Sequence, residues 1–163
     1  MAREIERKFL LLDARWRGAV THTIVMRQGY LGQFERCSVR VRLEDGEARL
    51  NIKSATLGIE REEFEYAIPS ADAEAMLARL CGPRQLDKRR HLVPFGAHLW
   101  EIDEFSGANA GLIVAEIELA AADEHFERPP WLGAEVSDDP RYYNVCLVDV
   151  PYTSWPEQRA AER

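Results

Sequence analysis

Short stretches of alternating charged and apolar residues recur along this chain, and the charges are sorted by sign. The first, EIERKFLL at residues 4–11, places Glu4, Glu6 and Lys8 at a spacing of two, against Ile5 and Phe9. In a β-strand that spacing puts the three charges on one face and the apolar residues on the other. SVRVRLE sets Arg40 and Arg42 against Val39, Val41 and Leu43, and ARLNIKS sets Arg49, Asn51 and Lys53 against Leu50 and Ile52. EREEFEY groups Arg61, Glu63 and Glu65 against Phe64 and Tyr66. Lys88 and Arg90, Glu101 and Asp103, and Glu116 and Glu118 extend the pattern through the second half.

One solvated face is common in antiparallel sheets, but such a face ordinarily mixes Thr, Ser, Gln and Lys. Here the faces are almost wholly charged: eight carboxylates (Glu4, Glu6, Glu63, Glu65, Glu101, Asp103, Glu116, Glu118) and eight cations (Lys8, Arg40, Arg42, Arg49, Lys53, Arg61, Lys88, Arg90). Closing an antiparallel sheet into a barrel turns one face inward. The pattern therefore predicts an α+β fold: an eight-stranded antiparallel β-barrel, a tunnel with a charged interior and a few helices packed outside. Charges inside a barrel are costly unless they pair or bind something. Clustered Arg and Lys suit phosphate oxygens. Clustered carboxylates repel one another unless a hard cation sits between them. Together they outline a metal–polyphosphate site.

The coarse element reading agrees. Strands are expected at residues 3–12, 23–31, 38–44, 48–54, 59–68, 85–94, 98–105 and 111–120, with a turn or short helical link at 13–18. Glu44-Asp45-Gly46-Glu47 is a hairpin signal. A helix is expected over 71–80, capped by Ser70 and stopped by Gly82-Pro83. PPWLG at 129–133 reads as a loop, residues 141–149 as a helix packed on the barrel, and the sequence after Pro151 as a frayed polar tail. The expected division is a domain at 1–152 and a tail at 153–163.

At 163 residues and net charge −7, the chain is of single-domain size and has no overall basic face for nucleic acid or an anionic membrane. Cys37, Cys81 and Cys146 are odd in number and widely spaced, which predicts free thiols in a reducing, cytoplasmic setting. No apolar run approaches the ~18–20 residues of a membrane span, and the charged first residues are unlike a signal peptide. His22, His91, His98 and His125 are scattered and read as surface or packed side chains, and Trp100 and Trp131 as core or lid packing. There is no phosphate-binding glycine loop, dinucleotide fingerprint or zinc-protease motif.

The ordered set of strands resembles the CYTH superfamily, the triphosphate tunnel metalloenzymes. The Glu-x-Glu-x-Lys strand is matched by Glu4, Glu6 and Lys8, and QGYL, VRVR, NIK, REEFE, KRR, WEIDEF and AEIEL follow in order over roughly residues 3–150. PPWLGAEV and RYYN are similar to the C-terminal part of the short bacterial branch, which is associated with inorganic triphosphate hydrolysis. The resemblance implies a metal-dependent triphosphatase acting on a small-molecule triphosphate, with Mg²⁺ or Mn²⁺ as cofactor, and a monomer or homodimer with no nucleic-acid or membrane partner. It implies that Lys8, Arg40, Arg42, Lys53, Arg61, Lys88 and Arg90 bind triphosphate. It makes Glu4, Glu6, Glu63, Asp103, Glu116 and Glu118 the candidate metal ligands, and Lys8, Tyr30 and Glu6 the candidates for orienting or activating water. Two alternatives stay open: an adenylyl cyclase of the class IV type, which uses the same tunnel, and a non-catalytic polyphosphate- or nucleotide-binding module.

Overall fold

The structure, a computed structural model, describes residues 3–157. Its strands are β1 (Arg3–Leu11), β2 (His22–Gln33), β3 (Cys37–Glu44), β4 (Glu47–Ser54), β5 (Glu60–Ile68), β6 (Gln85–Phe95), β7 (His98–Phe105), β8 (Ile113–Glu118) and β9 (Leu132–Glu135). There are also two α-helices, α1 (Ser70–Arg79) and α2 (Asn144–Leu147), and short 3-10 turns at Arg15–Ala19, Gly107–Asn109, Pro140–Tyr142 and Tyr152–Ser154. No helix among the described residues is long and apolar enough to cross a membrane.

Eight strands close into the expected antiparallel barrel in the order β5-β4-β3-β2-β6-β7-β8-β1, and β1 pairs back to β5. β1 is the seam. One edge pairs with β8, with Glu6 opposite Glu118 and Lys8 opposite Glu116. The other edge is shared: Arg3, Glu4 and Ile5 face Glu62, Arg61 and Glu60 of β5, and Phe9 and Leu11 face Glu135 and Leu132 of β9. β3 and β4 form a tight hairpin in which Asp45 and Gly46 both take positive φ, 45° and 87°, the mirror-image turn that matches strand twist.

The apolar positions between the charges face outward, and most are covered, although Phe64 and Tyr66 of β5 stay exposed. Ile5, Phe9, Trp100, Ile102, Ala115 and Ile117 pack with Trp16, Trp131 and Leu132. Trp100 meets Phe9, Phe126 and Trp131 edge-on at centroid distances of 5.7, 5.7 and 5.6 Å, the arrangement aromatic quadrupoles favour. Helix α1 covers another sector, with Ala73, Leu77 and Cys81 against Val41 and Ala48. Gly29 of β2 lies under this helix, and a Cβ there would stand 2.7 Å from Cys81 Sγ. A third cluster plugs one end of the barrel. Leu86, Phe105 and Val114 continue the inner-face rows of Lys88, Asp103 and Glu116, and they pack against Leu112, Leu147 and Trp155.

Several expectations need correction. Residues 132–135 form a ninth strand where a loop is expected through 133, because β1 has a free edge beyond its pairing with β5. The helix expected over 141–149 is a 3-10 turn plus the four residues of α2, since Tyr143 between them is extended at ψ 134°. Ser70 does not cap α1. Pro69 holds that position, and the Ser70 hydroxyl donates to the Gly46 carbonyl instead. Of the expected tail, residues 153–157 are ordered against the fold. Trp155 is 4% exposed, lies between the rings of Tyr142 and Tyr152, and donates from Nε1 to the Val150 carbonyl at 3.1 Å. Residues 158–163 lie outside the described residues.

Gly29→Ala is expected to cost about 1–3 kcal/mol of stability through overpacking. Gly18→Ala, where nothing stands within 4 Å of the added carbon, is expected to stay within about 0.5 kcal/mol. Urea denaturation of both variants is the check.

Candidate active site: a two-signed tunnel

Each strand except β2 and β9 contributes its charged row to one cavity of about 410 Å³. Glu4, Glu6 and Lys8 come from β1, Arg40 and Arg42 from β3, and Asn51 and Lys53 from β4. Arg61, Glu63 and Glu65 come from β5, Lys88 and Arg90 from β6, Glu101 from β7, and Glu116 and Glu118 from β8. Tyr30 of β2 also lines it, and Tyr143, Asn144, Val145 and Cys146 close one side near the apolar plug. A second opening shares Arg42, Arg90 and Glu101 with this cavity and is bordered by His22, Ile24, Met26, Glu44, Asp45 and Glu47.

Most of the tunnel's charges are consumed by each other. Glu116 accepts from Lys8 Nζ and, at 2.7 Å, from Arg90. Lys8 Nζ also donates to Glu6 at 2.5 Å. Arg90 forks onto Asp103 with two bonds of 2.8 Å and reaches Glu101 as well. Asp103, fully buried, takes Lys88 on the same carboxylate. Lys53 lies 2.8 Å from Glu4, and Arg42 is held by Glu44 and Glu65 at 3.1 and 3.2 Å.

At two arginines donors are left over. Arg40 is 7% exposed and makes no ion pair among the described residues; its Nε has no acceptor. Among the described residues Arg61 reaches a carboxylate only at 3.8 Å, on Glu6, and its Nε is likewise unsatisfied. Among the carboxylates Glu118 is the counterpart: it forms no ion pair among the described residues, and burial plus the charges of Glu4, Glu6 and Glu63 push its pKa up.

The protonation states follow from these partners. Burial works against the charge of Lys8, but Glu116 and Glu6 more than offset it, so its pKa is raised. Glu116 is buried too, yet Lys8 and Arg90 hold it well below the ordinary carboxylate range. Lys88 goes the other way, lowered to about 8 by burial that Asp103 only partly offsets. Burial raises Tyr30 despite the nearby Arg40.

The CYTH domain family matches residues 2–143. The chain belongs to this family. Two similar proteins are described as inorganic triphosphatases. That of Acetivibrio thermocellus is 40% identical over 157 residues, covering 96% of this chain and all of that one. That of Nitrosomonas europaea is 35% identical over 150 residues, covering 89% and 96%. A crystal structure of an inorganic triphosphatase superposes with a TM-score of 0.67 at 32% identity, covering 91% of this chain and 95% of that one.

As a CYTH barrel, the chain brings Glu4, Glu6, Lys8, Tyr30, Arg40, Arg42, Lys53, Arg61, Glu63, Lys88, Arg90, Glu116 and Glu118 to one cavity. Asp103 does not line it; its oxygens are occupied by Lys88 and Arg90. Asn51 and Tyr143 were not singled out by the sequence. Asn51 is 2% exposed and donates to Glu63, and to Glu65 at 3.5 Å. Its signal was its place between Arg49 and Lys53 in the alternation. Tyr143 lies outside any strand and carries no such signal. His91 faces away from the tunnel, bonded to Thr23 at 2.9 Å and to Glu104 at 3.1 Å. All three cysteines are free.

Asp103→Asn is expected to destabilise the fold by about 3–5 kcal/mol, because it leaves two buried cations undercompensated. Glu118→Gln is expected to leave stability unchanged or slightly raised, because it removes a repelled charge. Thermal unfolding of the two variants side by side is the measurement.

Proposed function

We propose that this chain hydrolyses inorganic triphosphate to pyrophosphate and phosphate, as a metal-dependent phosphoanhydride hydrolase. The observation that carries this reading is the surplus of buried, unneutralised guanidinium donors at Arg40 and Arg61 inside a tunnel otherwise balanced in charge. Such donors want an anion with many oxygens. The similarity to two inorganic triphosphatases over nearly the whole chain supports the choice of substrate.

The substrate's phosphates would lie along Arg40, Arg42, Lys53, Arg61, Lys88 and Arg90. CYTH triphosphatases are metal-dependent, and the donor set here fits a hard divalent ion. Glu4, Glu6, Glu63 and Glu118 are all oxygen donors crowded enough to raise Glu118. No three of the described carboxylates, histidines or cysteines converge on one point. Binding would therefore draw Glu4 and Glu6 from their lysines. Glu116 is the further candidate ligand, though Lys8 and Arg90 hold it in place. Mg²⁺ or Mn²⁺ would withdraw charge from the reacting phosphoryl group and acidify a bound water.

The chain's own residues supply the rest. Lys8 stays an ammonium and Tyr30 a neutral phenol at neutral pH, so they orient water and phosphate and do not take protons. Glu6, 2.5 Å from Lys8 Nζ, is the proton acceptor at hand. Water oxygen attacks the terminal phosphorus, its proton passes to the carboxylate, and the bond to the bridging oxygen breaks toward pyrophosphate. The arginines neutralise the charge that collects on that leaving group. Free thiols and an acidic surface support a cytoplasmic setting for this chemistry, with a monomer or homodimer as the assembly and no nucleic-acid or membrane partner.

Inorganic triphosphate, ATP, GTP and thiamine triphosphate, each with Mg²⁺ or Mn²⁺, form the deciding panel. Fastest turnover is expected with inorganic triphosphate, releasing phosphate and pyrophosphate, and a chelator is expected to abolish it. Cyclic AMP from ATP would establish the cyclase alternative, and tight binding without turnover the non-catalytic one. Arg40→Ala is expected to raise KM for triphosphate by about 10- to 100-fold, from the loss of about 1.5–3 kcal/mol in charge-assisted hydrogen bonds.

A further inference from the structure

We propose that Tyr143 is a positioning residue for Arg61. It holds the guanidinium in the tunnel by stacking, which keeps the N–H donors of Arg61 free for phosphate. The inference rests on the triphosphatase reading above.

The two ways of fixing an arginine in this tunnel can be compared directly. Arg90 is fixed by carboxylates on Glu101, Asp103 and Glu116, and its donors are spent on them. Arg61 is fixed differently. Its guanidinium carbon lies 4.9 Å over the centroid of the Tyr143 ring, and its nearest carboxylate contact is 3.8 Å away. A ring face attracts the cation without taking up its N–H groups as a carboxylate pair would, so the donors of Arg61 are not spent on an ion pair. A carboxylate clamp would hold Arg61 as firmly but would neutralise it.

Tyr143 is itself anchored, so the stack has a defined position. It is 5% exposed, and its hydroxyl donates to the Ser137 carbonyl at 2.8 Å and accepts from the Gly58 amide at 3.2 Å. Ser137 in turn accepts from the Lys8 amide through its hydroxyl at 2.9 Å. One ring therefore connects Arg61, the segment leading into β5, and the backbone of Lys8. It sets the phosphate-facing arginine in register with the strand that carries Glu6 and Lys8.

A double-mutant cycle tests this. Tyr143→Leu removes the π face, Tyr143→Phe keeps it and removes both hydroxyl bonds, and Arg61→Ala removes the positioned group. With Mg²⁺ and inorganic triphosphate, Tyr143→Leu is expected to raise KM about 5- to 10-fold with kcat within about 2-fold, the size of a desolvated cation–π contact. Tyr143→Phe, which keeps the π face but loses the hydroxyl anchor, is expected to fall between wild type and the leucine variant, with KM raised about 2- to 3-fold. In the Arg61→Ala background Tyr143→Leu is expected to add less than about 2-fold, since coupled residues are non-additive. Full additivity, or a Tyr143→Phe variant as impaired as the leucine one, would overturn the proposal. Should Tyr143→Leu fail to fold, Tyr143→Met keeps the bulk without the π face and serves in its place. If the wild type binds inorganic triphosphate without turnover, the activity proposed above fails; the cycle is then read as Kd by calorimetry, with the same expected pattern. A wild type that neither binds nor hydrolyses it overturns both.

Discussion

Glu116 is where the interior of this protein is held together. Its carboxylate takes the ammonium of Lys8 from β1 and the guanidinium of Arg90 from β6, and Arg90 carries the connection on to Asp103 and Glu101 of β7. Four neighbouring strands are thus tied on their inner face by ionic bonds shielded from water. Ion pairs in such a place offset a large desolvation cost and contribute little net stability by themselves. Removing one member leaves the others stranded, and that is what makes the arrangement specific. The apolar outer layer supplies the favourable burial, while the ionic lattice links the inner faces of the strands that lie side by side.

The balance is deliberately incomplete. Around Lys8, Lys88 and Arg90 every cation has a carboxylate, whereas Arg40 and Arg61 face the cavity with donors to spare. The two tyrosines sit beside those two arginines. Tyr30 lies close enough to Arg40 to feel its charge, and Tyr143 lies under Arg61. An aromatic ring or phenol fixes a guanidinium without discharging it. A tunnel built only from salt bridges would be more nearly neutral and would have little affinity for a polyanion.

Much of this was readable in the sequence because strands impose a period of two. Glu4/Glu6/Lys8, Arg40/Arg42 and Glu116/Glu118 declare a face wherever the chain is extended, and sorted charge on that face implies an enclosed, two-signed cavity. What escaped was whatever owes its place to tertiary contact. Asp103 reads like its neighbour Glu101, and only the fold shows it buried under Lys88 and Arg90. Tyr143 and Trp155 stand in irregular segments with no periodicity, so neither the ring under Arg61 nor the plug residue announces itself. β9 is four residues long, and it exists because β1 has an edge to offer, a property of β1 and β5 together.

The seam at β1 also bears on how the chain is made. β1 leaves a ribosome before the other strands of the barrel, yet Glu116, which pairs with its Lys8, lies 108 residues later, and Ser137, which receives the Lys8 amide, lies 129 residues later. Until those segments emerge, a strand carrying Phe9 and Leu11 on one side and three charges on the other has only the start of β5 to pair with. Contacts so distant in sequence make for slow closure. Closure of this barrel therefore waits on residues 113–137, which bring β1 the partners for most of its length.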